Sequence, residues 1–419
     1  MQLPKLYRIR RTLNPPVVAD VAAEVKAAIR KLPLAGRLKP GGRVAVTGGS
    51  RGVANIATIL RATCDTLKEL GASPFIVPAM GSHGGATAEG QLAVLARYGI
   101  TPESMGVPIL SSMETVEIAR MDWGLPVHVD RHASEADHIV LVNRIKPHTG
   151  FHGSIESGLI KMLVIGLGKH QGARLAHRAA IDVGLARMVP EVGHVSLGKL
   201  PVLFGVATLE NARHQTARVE VLLAEDLEAA EPRLLQEARS LMGRIPFGFL
   251  HLLIVDEIGK EISGGGMDSN VIGRMPTNYP PALDAPKYVR ILIRDLTVKT
   301  AGNAVGMGLA DFATRRLADK VDFHATYTNV LTASVSAGAK LPVIFETDRD
   351  AIEGALKTIG LTEPPDAKVA RVRNTLALEV LHVSEALLPE VRGRADLTIL
   401  DGPFDFQFTD AGDLVGSVA

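Results

Sequence analysis

The chain contains a single cysteine, Cys64, in 419 residues, which excludes an internal disulfide, a protein-held iron–sulfur cluster and a thiolate zinc site. Aromatic residues are scarce, at 11 Phe, 5 Tyr and 1 Trp, so there is little material on which nucleic-acid bases could stack. Charge of one sign is lacking too: 46 Lys+Arg face 45 Asp+Glu, and such a balance makes no field for gripping a polyphosphate backbone. No apolar run approaches the roughly eighteen residues of a membrane span. The opening MQLPKLYRIRRTLNPP carries charges without the apolar stretch of a secretory leader. A cytoplasmic protein with neither a nucleic-acid nor a membrane partner is expected.

What is present suffices for two hydrophobic cores, since 46% of the residues are hydrophobic and the length exceeds that of a typical single core. In the first half, short β-branched runs alternate with helical patterns, as in a doubly wound α/β domain. Strands are expected at Arg43–Thr47, Pro74–Pro78, His138–Asn143 and Pro201–Leu209. Helices are expected at Ile56–Leu70 and Thr87–Tyr98, closed by Gly71 and Gly99. Further helical runs follow Lys161 as far as Gly166 and cover Gln171–Val183 and Asp226–Met242. A second unit is expected to begin near Phe247, with strands at Tyr288–Leu296, Leu341–Thr347, Val369–Asn374 and Leu397–Leu400. Helices at Asn303–Leu317 and Asp350–Ile359 fall between them, and the three prolines of Tyr279–Lys287 mark a loop. The predicted fold is α/β in two domains: residues 1–250 as the doubly wound N-terminal domain and 251–419 as a smaller C-terminal α/β domain.

In an open α/β sheet, ligands bind beyond the carboxyl ends of the strands. Three clusters follow the predicted strands: Thr47-Gly-Gly-Ser-Arg-Gly52, Gly81-Ser-His-Gly-Gly85 and Asn143-Arg-Ile-Lys-Pro-His-Thr-Gly-Phe-His-Gly153. Each joins glycines, which let a backbone approach a ligand, to an Arg or a His. A single Gly-His turn is usually only a turn. Two histidines at one sheet edge, His83 and His148, point to a functional pair with ordinary pKa values near neutral pH. The first cluster mimics the nucleotide loop of a short-chain dehydrogenase, but Ala54 replaces its last glycine and no Tyr is followed four residues later by Lys. Arg51 offers instead a fixed fork of donors for a carboxylate. His128, His132 and His138 lie close in sequence but alternate between strand and turn without a carboxylate partner, and read as ordinary structure.

With these residues assembled, the chain resembles the nickel-pincer-nucleotide lactate racemase family of 2-hydroxyacid racemases and epimerases. The match runs in order through Arg51 in GGSRG, His83 in GSHGG, His148 in KPHTGFHG, Lys161 in SGLIKMLVIGLG and His177 in ARLAHRAA. The resemblance implies an active site in a cleft between the two domains. It also implies a nickel-pincer nucleotide, pyridinium-3-thioamide-5-thiocarboxylic acid mononucleotide with nickel. Lys161 is implied as its tether, Ser50, Gly166 and Gly168 as further cofactor contacts, and His177 as the protein's ligand to nickel. Imidazole suits nickel, and sulfur from the cofactor explains how a chain with one cysteine could hold a soft-ligand metal site. His83 and His148 take the part of opposed acid–base groups, with Arg51 holding the substrate carboxylate. Lys260 and Asp268, in the polar loop IGKEISGGGMDSNVIGR, are the candidates for contacts to a substrate more hydroxylated than lactate. Three departures stand out: Gly48, three before Arg51, and Gly52, just after it, stand where the family has an acidic residue and a proline, the paired glycines before the family's tethering lysine are missing, and the interval from His148 to Lys161 is longer.

The expected function is inversion at C2 of a 2-hydroxy acid, a small-molecule substrate, with homo-oligomerisation left open. A nicotinamide-dependent dehydrogenase and a non-catalytic nucleotide-cofactor binding protein are the alternatives.

Overall fold

The computed structural model describes residues 1–49, 52–277 and 284–418. Two compact units form, one of Pro15–Met242 and one of Met1–Asn14 together with Gly243–Ala419.

The first unit is built on a five-stranded sheet in the order Ser73–Pro78, Arg43–Gly48, His138–Arg144, Val202–Glu210, Thr216–Leu223. The first four strands are parallel and the last is antiparallel to its neighbour. Their near-continuous apolar character follows from burial on both faces, as a parallel sheet requires. On one face, Val25 and Ile29 of the helix Val21–Arg30 and Ile59, Leu60 and Leu67 of the helix Ile56–Glu69 pack with Val44 and Val46 in one core. The strand Arg43–Gly48 has one neighbour that follows it directly and one that comes much later in the chain. The chain therefore changes winding direction here, and the crevice beyond the carboxyl ends of these strands is the natural ligand position.

The second unit holds an eight-stranded sheet in the order Val343–Phe345, Phe312–Thr314, Lys287–Ile293, Phe249–Val255, Val369–Val372, Val380–Ser384, Leu6–Arg11, Leu397–Phe404. Five strands are parallel, and the last three run antiparallel to their neighbours. Leu6–Arg11, from the start of the chain, is thus paired on both sides with strands from its end, with Leu6 and Ile9 buried. Above the sheet, Arg294 binds Asp256 at 2.7 Å and Asp348 at 2.7 Å and donates to the Leu414 carbonyl at 3.0 Å. Asp348 in turn accepts the Leu414 N–H at 2.8 Å, so charged groups anchor the C-terminal tail.

The helix expected over Asn303–Leu317 does not form. This stretch instead supplies the strand Phe312–Thr314, all of it buried between two parallel neighbours, flanked by a tight turn at Met307–Leu309 and a short helix at Arg315–Ala318. A Cβ at Gly308 would lie 2.0 Å from the Ala337 carbonyl oxygen. That close approach of two backbones replaces helical packing, and strand pairing then satisfies the polar groups of residues 312–314. Residues 279–283 of the proline-rich segment lie outside the described residues. Among the described residues no helix is long and apolar enough to cross a membrane.

Candidate active site

Beyond the strand His138–Arg144 the chain runs through Lys146, His148 and Phe151 to the short helix Leu159–Lys161. Glu156 organises this passage. Its carboxylate is buried, accepts the N–H of His148 at 2.6 Å and of Gly153 at 3.1 Å, faces His152 Nδ1 at 3.4 Å and is paired with Arg239. Four donors around one carboxylate convert a glycine-rich loop into a fixed one. Phe151, fully buried, presents its ring to the His148 imidazole at 4.6 Å between centroids and to the Lys161 ammonium at 5.7 Å.

Lys161 stands at the entrance to a turn of π-helix, Met162–Gly166, in which the Leu167 N–H reaches back five residues to the Met162 carbonyl at 2.9 Å. Such turns are rare and are frequent at functional positions. After the turn at Leu167–Gly168 the chain enters the helix Lys169–Val183, which carries His177. The start of the Lys161 helix is held from outside: Glu231, buried on the helix Leu227–Leu241, accepts the Ile160 N–H at 3.0 Å. Its carboxyl is pushed up to about 7 by burial, against the opposing pull of the Ile160 and Leu159 amides.

The electrostatics gather these residues into one site. Lys161 is pushed down to about 7, first by burial and then by the charge of Lys146, with Glu156 acting the other way. His177 is lowered to about 4 by burial and by Lys161. His148 lies well below the usual imidazole value because of burial, then Lys161, Lys146, His177 and His152. A half-buried, electropositive group of amines and imidazoles results, in which His148 and His177 are neutral at pH 7. Neutral imidazole is the form that ligates a metal or accepts a proton.

His83 lies on the loop beyond the strand Ser73–Pro78, which is two places along the sheet from His138–Arg144. Its N–H donates to the Met80 carbonyl at 3.2 Å, and the next three residues, Gly84, Gly85 and Ala86, all take positive φ in a tight turn. Gly166 and Gly168 are needed for close packing. A Cβ at Gly166 would meet the Ala79 oxygen at 2.6 Å, and one at Gly168 the Val164 oxygen at 2.9 Å. Gly166 also accepts the Gly81 N–H at 3.1 Å, joining the π-turn to the His83 loop.

Ser50 and Arg51 lie outside the described residues. Lys260 and Asp268 belong to the second unit. There the Lys260 ammonium donates to Gly264 O and Asn329 Oδ1, each at 2.5 Å, and Asp268 caps the short helix Ser269–Ile272 through the Asn270 N–H at 2.9 Å. His128 faces Thr115 and Gln171, each at 3.2 Å, and among the described residues no group of three or more His, Cys, Asp or Glu is arranged to hold a metal ion. Sequence reasoning missed Glu156, Phe151, Lys146 and Glu231. Lys146 and Phe151 stand inside the KPHTGFHG motif and could have been taken with it, whereas nothing in the sequence marks the two glutamates as buried.

Residues 4–187 match the family described as lactate racemase N-terminal domain. Among solved structures, the chain is similar to the lactate racemase apoprotein from Thermoanaerobacterium thermosaccharolyticum, with a TM-score of 0.50 and 14% sequence identity over 86% of this chain and 88% of that one. At this identity the likeness is one of fold. No curated protein matches the chain.

Proposed function

We propose, from the match of residues 4–187 to the lactate racemase N-terminal domain, that the protein inverts C2 of a 2-hydroxy acid with a nickel-pincer nucleotide. The carrying observation is the convergence of Lys161, His177 and His148, in family order, in one half-buried electropositive group. That donor set fits the cofactor. An amine with a pKa of about 7 is available for covalent attachment at neutral pH, a neutral imidazole at His177 can ligate nickel, and the positive surroundings suit an anionic nucleotide. Lys161 would hold the nucleotide, with Gly166, Gly168 and Ser50 beside it, and His177 would bind the metal. When bound, the group supplies a reversible acceptor for the C2 hydride.

The chain's own residues do the rest. Inversion requires proton transfer at the 2-hydroxyl oxygen in two orientations of the substrate, and His83 and His148, on loops beyond strands of the same sheet, are the pair for it. Arg51 would clamp the substrate carboxylate through a two-point contact. Lys260 and Asp268 are proposed as contacts for further hydroxyl groups of a longer acid. A cytoplasmic setting agrees with this use of a small, soluble metabolite.

Screening 2-hydroxy acids and aldonates for C2 inversion by proton NMR, with protein made alongside the cofactor pathway, tests the proposal. His83→Ala and His148→Ala should each lower inversion by at least about 10²–10⁴-fold with nickel content intact, whereas His177→Ala should lower nickel occupancy first. Near-normal inversion by either of the first two variants would overturn the two-histidine assignment. Tight binding of reduced nicotinamide without nickel would favour a dehydrogenase instead, and bound cofactor without turnover a carrier protein.

A further inference from the structure

Lys169 takes no part in the chemistry proposed above, yet it is among the most completely buried side chains of the protein. It begins the helix Lys169–Val183 with a φ of 51°, a left-handed backbone that residues with side chains rarely adopt. A buried ammonium must find acceptors on every side. Lys169 finds two, the carbonyl of Pro78 at 2.8 Å and Oε1 of Gln91 at 2.7 Å, and an ion-pair partner in Asp130, with Oδ2 at 3.4 Å. The last of these oxygens has no hydrogen-bond partner, so the ammonium is its compensating charge.

These acceptors are not scattered. Pro78 ends the strand that leads into the His83 loop. Gln91, also fully buried, turns its amide N–H groups onto that loop, to Gly81 O at 2.9 Å and His83 O at 3.4 Å. Asp130 ends the strand Pro126–Asp130, and its N–H donates to the Leu167 carbonyl of the π-turn at 2.7 Å. One turn along the helix from Lys169, Ala173 packs against the α-carbon of Gly81, where a Cβ would come within 3.3 Å of its methyl group. His177 is one turn further along the same side.

We propose that Lys169 is a positioning residue. Its buried ammonium, acting through Gln91, ties the backbone of the loop that presents His83 to the base of the helix that presents His177. The left-handed start of the helix is the conformation that turns this side chain inward beneath the loop. The assignment rests on the reading that His83 and His177 serve one site, and it adds to that reading a residue which touches neither substrate nor cofactor.

Lys169→Met alone strands the Asp130 carboxylate and threatens the fold, so the informative variants are two. Lys169→Met with Asp130→Asn removes both charges and keeps the Asp130 cap on the Ala133 N–H, made at 2.9 Å. Gln91→Glu keeps an acceptor for Lys169 but removes the donors to Gly81 and His83. In the cofactor-free chain, hydrogen–deuterium exchange of the peptide covering residues 81–87 should speed up at least about tenfold in both variants, with the strand Val202–Glu210 unchanged and thermal unfolding still cooperative. In protein carrying the cofactor, kcat for C2 inversion should fall at least about tenfold while KM stays within about twofold. Unchanged exchange at 81–87 in both variants, or exchange accelerated equally throughout the chain, overturns the assignment. A wild-type protein that inverts no 2-hydroxy acid overturns the functional reading alone, because the exchange result still decides whether Lys169 holds the loop.

Discussion

The Nδ1 of His148 accepts a hydrogen bond from the Gly150 N–H at 2.9 Å. In the neutral ring the proton therefore resides on Nε2. The same bond opposes protonation at Nδ1 and acts in the direction of the lowered pKa. For His148 to accept a proton at Nε2, the ring must carry its own proton on Nδ1 and release Gly150. Ligand binding is thus expected to reorganise the Thr149–Gly150 turn. Nitrogen NMR of the ligand-free protein at pH 7 should report the Nε2–H tautomer for His148, and a Nδ1–H tautomer there would contradict this geometry.

Glu231 and Gly158 make a second prediction. A methyl group on Gly158 would come within 1.9 Å of Glu231 Oε1, so Gly158→Ala must displace the carboxyl that caps the Lys161 helix. Loss of stability of about 1–3 kcal/mol is expected, measured by chemical denaturation. The pH dependence has a definite sign. A carboxyl raised from 4.5 to about 7 in the folded state contributes stability that is fully present below pH 4.5 and is lost as the pH rises to about 7. Glu231→Gln should flatten the stability curve across that interval, by on the order of 3 kcal/mol at most.

Lys161 should be a reactive amine. With a pKa of about 7 it is roughly half neutral at pH 7, where an ordinary lysine is neutral to less than about one part in a thousand. Competitive acetylation of the cofactor-free protein across pH 5–10, followed by peptide mapping, should give Lys161 a midpoint near 7 and exposed lysines midpoints near 10. In active protein made with the cofactor, the peptide bearing Lys161 should instead show a covalent adduct. An unmodified Lys161 there would mean that the nucleotide is held without a tether.

Asp348 anchors the other unit. Burial pushes its pKa up, but Arg294, the Leu414 N–H and Arg316 outweigh burial, and the carboxylate ends below its ordinary value. Its contribution is therefore present above pH 4 and declines as the pH falls through its lowered value. Asp348→Ala leaves Arg294 with one buried carboxylate fewer and frees the tail at Leu414. A loss of about 3–5 kcal/mol is expected, visible as a lower Tm.

The parallel strands Arg43–Gly48, Ser73–Pro78 and His138–Arg144 could be read from the sequence because short apolar runs that lead into glycine-containing loops need no partner to be recognised. The motifs holding His83, His148, Lys161 and His177 were legible for the same reason: each is local, and each follows an element whose period is clear. Tertiary structure alone decided that Leu6–Arg11 pairs with strands nearly four hundred residues later in the chain, and that Phe312–Thr314 extends rather than coils. Strand pairing between distant segments is set by which edges are left open once the rest has packed, and no local pattern records that. The supporting charges, Glu156, Lys169 and Glu231, were illegible on the same ground. In sequence they are ordinary polar residues of loop and helix, and their importance comes from burial, which the surrounding chain imposes on them.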